Sequence, residues 1–409
     1  MGPARRTDGW LWLALLFAAT GFVESMSFGH YLSFLPLLVR DMGVPSDQVA
    51  ATVGLLSTAS LLAGLPLVPF WGAWADRYSR KVIIVRSAVV EAVLFVFLAF
   101  VTDVWQMFLL VPLVGLVLGN TGVMLAEITD RAPRARLGLA ISIVSAAGPL
   151  GLAVGPAFGG PVVDHFGTQP LFLIDAAITG VMVLALVVGY HEAADRVRSV
   201  LPVLTLVRRS LIAVLRTPLA QGVFVTYFFV LLGQRLVSPF LALYVESING
   251  PVLLASTVGL VAAAYGLAAT IGSPVAGALA DRVGFGRVLL GSIALASVAA
   301  LVAPLLRSLV GFGIDYAILG VGFATAGSML FATLATNLPP DIRSSVLNLA
   351  LVPAYLSGIV GSLLAVQVVQ WSGGDLEPLW LLAGVIVAVA LVPAWRLEVL
   401  VRRRATLSA

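Results

Sequence analysis

Residues 151–160 read GLAVGPAFGG, preceded by SAAGP at 145–149. The stretch lies in a run without one charge, from Leu137 to Val163. Such a run reads as a membrane-spanning helix, which needs about 20 apolar residues. Yet glycine and proline are the two poorest helix formers. Spacing resolves the conflict. At about 100° per residue, Gly148, Gly151, Gly155 and Gly159 share one strip roughly 80° wide. Pro149 and Pro156 fall beside that strip. A strip of small residues lets a neighbouring helix approach closely. Each proline removes a backbone hydrogen bond and crowds the carbonyl four residues back, at Ser145 and Leu152. A bent helix with a smooth packing face is expected.

The rest of the chain has the same character. It is 409 residues long, 60% hydrophobic and 11% charged, against about 25% charged in soluble domains. Its mean hydropathy is +1.05. This composition describes a polytopic all-α membrane protein with no soluble domain of useful size. There are no cysteines, which excludes disulfides, thiol catalysis and Cys-ligated metals. His30, His165 and His191 are not at metal-ligand spacing, so no histidine-built metal site is expected. No G-x-x-x-x-G-K-[ST] loop occurs, which argues against ATP hydrolysis. No catalytic constellation appears, so the chain reads as a non-enzyme without a cofactor and without a nucleic-acid partner. The apolar stretch from Trp10 to Val39 is too long for a signal h-region and no cleavage site follows it, so it reads as the first span.

Twelve spans are predicted, at 10–38, 48–71, 83–101, 104–126, 137–163, 170–190, 219–245, 253–276, 288–306, 309–336, 345–370 and 377–396. One set of loops holds Arg77, Arg80 and Lys81; Arg131, Arg134 and Arg136; Arg196, Arg198, Arg208, Arg209 and Arg216; Arg282 and Arg287; and Arg343. Arg5, Arg6 and Arg402 to Arg404 place both termini on that side. The opposite loops show only Arg40 and Arg307, among Asp41, Asp47, Asp103, Asp164, Glu246, Asp375 and Glu377. The positive-inside rule makes the arginine-rich side cytoplasmic.

The longest polar segment, 191–218, reads as a linker between six-helix halves at 1–190 and 219–409. The halves match each other. TVGL at 52–55 recurs at 257–260, and GAWADR at 72–77 recurs as GALADR at 277–282. Without gaps, residues 51–77 and 256–282 agree at 13 of 27 positions. Duplication of six-helix halves marks a transporter built on parallel repeats.

At these residues the chain resembles the major facilitator superfamily, over essentially all twelve spans. That family repeats a loop motif between spans two and three, here Gly72-Ala-Trp-Ala-Asp76-Arg77-Tyr-Ser-Arg80-Lys81. The family leucine is Trp74 and the second family glycine is Ser79. A second copy holds Gly277, Asp281 and Arg282, with one extra residue before Arg287. The resemblance implies that Asp76 joins a cytoplasmic latch that breaks as the halves rock. It also implies a gating pair of Glu127, ending span four, with Arg136, opening span five. The family's span-four arginine is missing, and Gly115 stands in its place. Gly151, Gly155, Pro156, Gly159 and Gly160 fit the span-five motif by which drug:proton antiporters resemble one another. That points to the export branch.

Ionisable residues inside a membrane are functional candidates by default. Glu24, near the middle of span one, is the best candidate for a coupling carboxylate, because withdrawal from water favours the protonated acid. Arg235 in span seven pairs with His30 across the repeat and suits a carboxylate or an anionic substrate group. Asp175 and Asp315 stand about two turns inside the outer ends of spans six and ten. Glu91 in span three follows Arg86 by five residues and is the weakest of the set. Met26, Phe28, Tyr31 and Phe34 on span one, with Tyr227, Phe228 and Gln234 on span seven, are expected to line a cavity suited to apolar or cationic molecules. The expected function is a proton-coupled exporter of amphiphilic or cationic small molecules, a monomer in the inner membrane. The alternatives are a lipid, lysolipid or anionic-metabolite translocator using Arg235, and a non-transporting sensor on the same fold.

Overall fold

The computed structural model describes residues 9–117, 120–133, 136–192, 202–338, 346 and 349–408, with backbone alone for Gly72, Asp76 and residues 404–408. Among the described residues there are helices and no strands. Twelve of the helical runs are long and apolar enough to cross a membrane. They are Trp10–Asp41, Ser46–Ala75, Arg80–Ala99, Val104–Arg131, Leu137–Phe166, Thr168–Gly189, Pro218–Asn249, Leu254–Val283, Phe285–Leu305, Leu309–Asn337, Leu351–Trp371 and Glu377–Arg403, taken below as spans one to twelve. They coincide with the twelve expected from sequence. Arg5, Arg6, Arg134, Arg196, Arg198 and Arg343 lie outside the described residues.

Local chemistry explains where the helices start and stop. Ser79 caps span three, its hydroxyl accepting from the Val82 amide at 3.2 Å. Asp103 and Gln106 form a capping box at the start of span four. Spans five and six reverse on Gly167 alone, at φ 84°, a conformation that favours glycine. Proline-containing tight turns interrupt spans two, four and seven at Leu65–Leu67, Val111–Leu113 and Ser238–Phe240. A proline without an N–H cannot complete the helical ladder, so the chain tightens there. Span five, by contrast, keeps Pro149, Pro156 and Pro161 inside one continuous helix from Leu137 to Phe166.

The packing order repeats. In the first half, span one packs on spans five and six, three on six, and two on four. In the second half, span seven packs on eleven and twelve, nine on twelve, and eight on ten. Adding six to each number of the first set gives the second. Two of the contacts that join the halves, five with eight and two with eleven, exchange under the same shift. The duplication visible at 51–77 thus extends through two pseudo-symmetric six-helix bundles. A small core of Leu13, Phe17, Ile84, Met124, Leu186 and Tyr190 closes the arginine-rich end of the first half. Within the linker, Val203–Arg216 forms a further helix that buries Val207 beside Val68–Arg77 of span two.

Candidate functional site

The polar centre of the first half is built by four spans. Glu24 is half-buried on span one, and its carboxylate accepts a hydrogen bond from the Asn120 side chain of span four. Arg86 of span three lies within electrostatic reach of Glu24 and stacks on the Trp71 ring of span two, 3.8 Å from its centroid. Its three guanidinium nitrogens are buried without a hydrogen-bond partner among the described residues. Glu91 is 2% exposed on the same span, within electrostatic reach of Glu24 and Asp175. Sequence reasoning ranked Arg86 and Glu91 last and passed over Asn120. An arginine within an apolar run was the signal for the first.

Gly115 takes no part in this centre. A Cβ there would collide with the backbone of Gly64 in span two, so the position packs two helices together and has no room for the family arginine. The cation near Glu24 comes from span three instead.

A second polar group joins spans one, five and six. His30 Nδ1 lies 2.9 and 3.0 Å from the two Asp175 carboxylate oxygens, and its Nε2 lies 2.7 Å from the Gly155 carbonyl. The Ser27 hydroxyl donates to Asp175 at 3.1 Å. His30 and Asp175 are 3% and 0% exposed. Asp175 is therefore an interior partner of His30, and the pair lies within the first half.

The glycine strip of span five faces span one, as its spacing suggested. Cβ atoms at Gly151, Gly155 and Gly159 would meet Phe22, Met26 and His30, which are four residues apart on one face. The Pro156 ring packs on Gly29 of span one, while its carbonyl and Gly160 face the other half. Gly160 abuts Ala255 and Ser256 of span eight, and Gly259 abuts the Pro156 carbonyl. One motif packs both within a half and between halves.

The expected pairing of Glu127 with Arg136 does not form. Glu127, 2% exposed, pairs with Arg80 of the loop motif at 2.9 Å and with Arg131 at 2.7 Å. Arg131 is one helical turn further along the same helix and reaches the carboxylate first. Arg136 is exposed at the N-cap of span five. Arg80 also bonds Asp130 at 2.7 Å, Lys81 bonds the Val187 carbonyl at 2.7 Å, and Arg77 stands over the Tyr78 ring. The side chains of Gly72 and Asp76 lie outside the described residues, and the Asp76 latch with them. In the second copy Asp281 and Arg282 are exposed, and Gly277 has open space beside it.

In the second half Arg235 is half-buried on span seven, with Tyr227, Tyr265 and Tyr355 within electrostatic reach. Gln234 donates to the Tyr265 hydroxyl at 2.6 Å. The Arg235 Nε has no hydrogen-bond partner among the described residues. Asp315 is 8% exposed with one oxygen unpartnered among those residues, next to the stacked rings of Phe312 and Tyr316. Of the expected lining residues, Met26, Phe28, Tyr227, Phe228 and Gln234 keep accessible surface. Tyr31 and Phe34 do not, at 3% and 0% exposed; they pack in the core, Phe34 against Gly159.

The halves are tied at the end opposite the arginine-rich loops. Arg40 of span one forms a bidentate pair with Glu246 of span seven, Nη1 to Oε1 at 2.8 Å. Asp164, ending span five, accepts from the Ala255 and Ser256 amides that open span eight, at 3.0 and 2.8 Å. No group of three or more metal-ligating side chains is placed to hold an ion among the described residues.

The chain is similar to known proteins. The family model described as Major Facilitator Superfamily matches residues 17–221 and 223–408. The chain is 30% identical over 312 residues to the multidrug resistance protein MdtG of Yersinia enterocolitica, covering 76% of this chain and 74% of that protein. It is 32% identical over 295 residues to the MdtG of Serratia proteamaculans, covering 71% and 70%. Among solved structures, the nucleoside transporter NupG superposes in a variant form with a TM-score of 0.78 at 17% identity, covering 94% of this chain and 99% of that one. At that identity the likeness carries the fold alone.

Proposed function

Because this chain belongs to the major facilitator superfamily, we propose that it is a secondary active exporter of amphiphilic or cationic small molecules, driven by protons. The observation that carries the reading is Glu24: a carboxylate half-buried in the membrane interior, held by a neutral amide from Asn120, with the Arg86 cation in reach. Such a group exchanges a proton for a cation. A proton discharges Glu24 and releases the substrate; a cationic substrate takes its place once the proton has left. Alternating access follows from rocking of the two bundles about this centre. The membrane potential contributes about 2.3 kcal/mol per charge per 100 mV. Support for drugs as substrates comes from the multidrug resistance proteins to which the chain is similar, and from the span-five glycine motif.

In this reading the first bundle is residues 1–190, the linker 191–218 and the second bundle 219–409. The protein is a monomer in the inner membrane, with both termini and the arginine-rich loops cytoplasmic. The Arg40–Glu246 and Asp164 ties then lie outside, and the described state is closed outward.

The test uses proteoliposomes with an imposed proton gradient. Wild type should move a cationic dye against its own gradient. Glu24→Gln should lose that uphill movement and keep downhill exchange. Full coupling in the variant would remove Glu24 from the mechanism. A second reading rests on Arg235, whose Nε lacks a partner among the described residues: a translocator of lipids or anionic metabolites. Arg235→Glu should then abolish anion transport and spare cationic dyes.

A further inference from the structure

We propose that His30 and Asp175 form a second proton-binding site, whose loading decides how span five is held. The proposal rests on the proton-coupled reading above and deepens it. It starts from hydrogen-bond arithmetic. The Gly155 carbonyl only accepts, so the His30 Nε2 lying 2.7 Å from it carries a hydrogen. The Nδ1 contacts with Asp175, at 2.9 and 3.0 Å, need one more hydrogen between ring and carboxyl. That hydrogen rests on Nδ1 as imidazolium facing carboxylate, or on Asp175 as acid facing neutral imidazole. In both forms the pair is neutral. Neutrality suits its burial, with His30 at 3% and Asp175 at 0% exposure and only the Ser27 hydroxyl as a further partner.

Loss of one proton leaves a single hydrogen for two contacts. If it stays on Nε2, the bare Nδ1 lone pair faces a carboxylate. If it moves to Nδ1, the bare Nε2 lone pair faces the Gly155 carbonyl. One contact turns repulsive either way, so span one releases span six or span five. The released element matters because Gly155 precedes Pro156, whose carbonyl lies against Gly259 of span eight in the other half. The imidazole also sits where a Cβ at Gly159 would be. The helix that His30 holds is thus one of those that join the halves.

The groups facing the pair complete the site. Glu91 of span three is within electrostatic reach of Asp175 and also of Glu24, which in turn has Arg86 in reach. Span one adds the buried Tyr31 hydroxyl, beside Ser60 of span two. Span five offers main chain at this level, its Asp164 and His165 standing at its far end. The acids Asp175, Glu91 and Glu24 therefore form a series, through which a charge change at one is felt at the next.

With three histidines in the chain, ring nitrogens can be read directly in 15N-histidine-labelled protein, His30→Gln identifying the His30 signals. Across a pH series the pair should lose one proton, and the His30 ring signals should shift as Nδ1 loses either its own hydrogen or the one it accepts from Asp175. Amide exchange of residues 155–160 should speed up over the same pH range, by about tenfold. Asp175→Asn should remove both changes, whereas Glu24→Gln should keep both. Ring signals that stay constant across the range overturn the proposal, as does an unchanged titration in Asp175→Asn. The wild-type measurement needs no variant to fold. A flat His30 titration leaves Glu24 coupling standing, and a coupled Glu24→Gln variant leaves the His30 site standing.

Discussion

At the scale of single residues, the glycines of span five are the sharpest test of the packing. A side chain at Gly151 meets the Phe22 carbonyl, which belongs to a helix backbone and cannot swing aside. Gly151→Val should therefore destabilise the protein by about 1–3 kcal/mol, the usual cost of overpacking. Gly148 is different, because its nearest neighbour is the Ser25 hydroxyl at 3.3 Å. Gly148→Ala should be neutral or mildly stabilising, since alanine favours helix by about 1 kcal/mol. Thermal unfolding in detergent reads both, and equal losses would mean that the strip is not the packing face. The strip itself was legible from its spacing. Its partner was not: periodicity shows which face is smooth, but not which helix lies against it. For the same reason His30 and Asp175 were named separately, 145 positions apart in the chain.

At the scale of elements, the arginine-rich end of the first bundle is held by Glu127 between Arg80 and Arg131. Removing the charge leaves two arginines around a nearly buried amide. Glu127→Gln should cost about 3 kcal/mol, the lower end for breaking a buried pair. Arg136→Gln should cost nothing measurable, because Arg136 is exposed and outside the network. Melting temperatures of the two variants decide between the network and the expected pair. The resemblance suggested Arg136 because the family pairs the acid ending span four with an arginine opening span five. A residue one turn away on the same helix and the loop arginine Arg80 are closer in space. The linker helix was likewise only a polar segment in sequence, though VLTLVRRSLIAVLR at 203–216 sets Arg208, Arg209 and Arg216 among regularly spaced apolar residues.

At the scale of the whole molecule, the repeat was legible over spans two and eight, where glycines and a charged pair keep their register. In the other spans lipid-facing residues need only be apolar, and sequence identity fades while the packing order persists. The cross-half ties are the testable consequence. The chain has no native cysteine, so Ser256→Cys, half-buried against Gly160, reports opening of the end opposite the arginine-rich loops without background. Arg40→Glu should raise its labelling rate by about fivefold, as expected for a loss of about 1 kcal/mol. The added Glu246→Arg exchange should restore the slow rate. A double variant that labels as fast as the single one would remove the pair from the closure.

Span eight begins on Leu253, at φ 49°, with no side chain of its own capping the helix. The carboxylate of Asp164, from the other bundle, occupies the cap position. The consequence concerns biogenesis. The first bundle is synthesised first and presents Asp164 before span eight emerges, so the later helix finds its N-terminal partner already in place. The second bundle made alone would start that helix with uncapped amides, a deficit of about 1 kcal/mol. Co-expression of the first bundle in the same membrane would supply what the second bundle's own sequence leaves out.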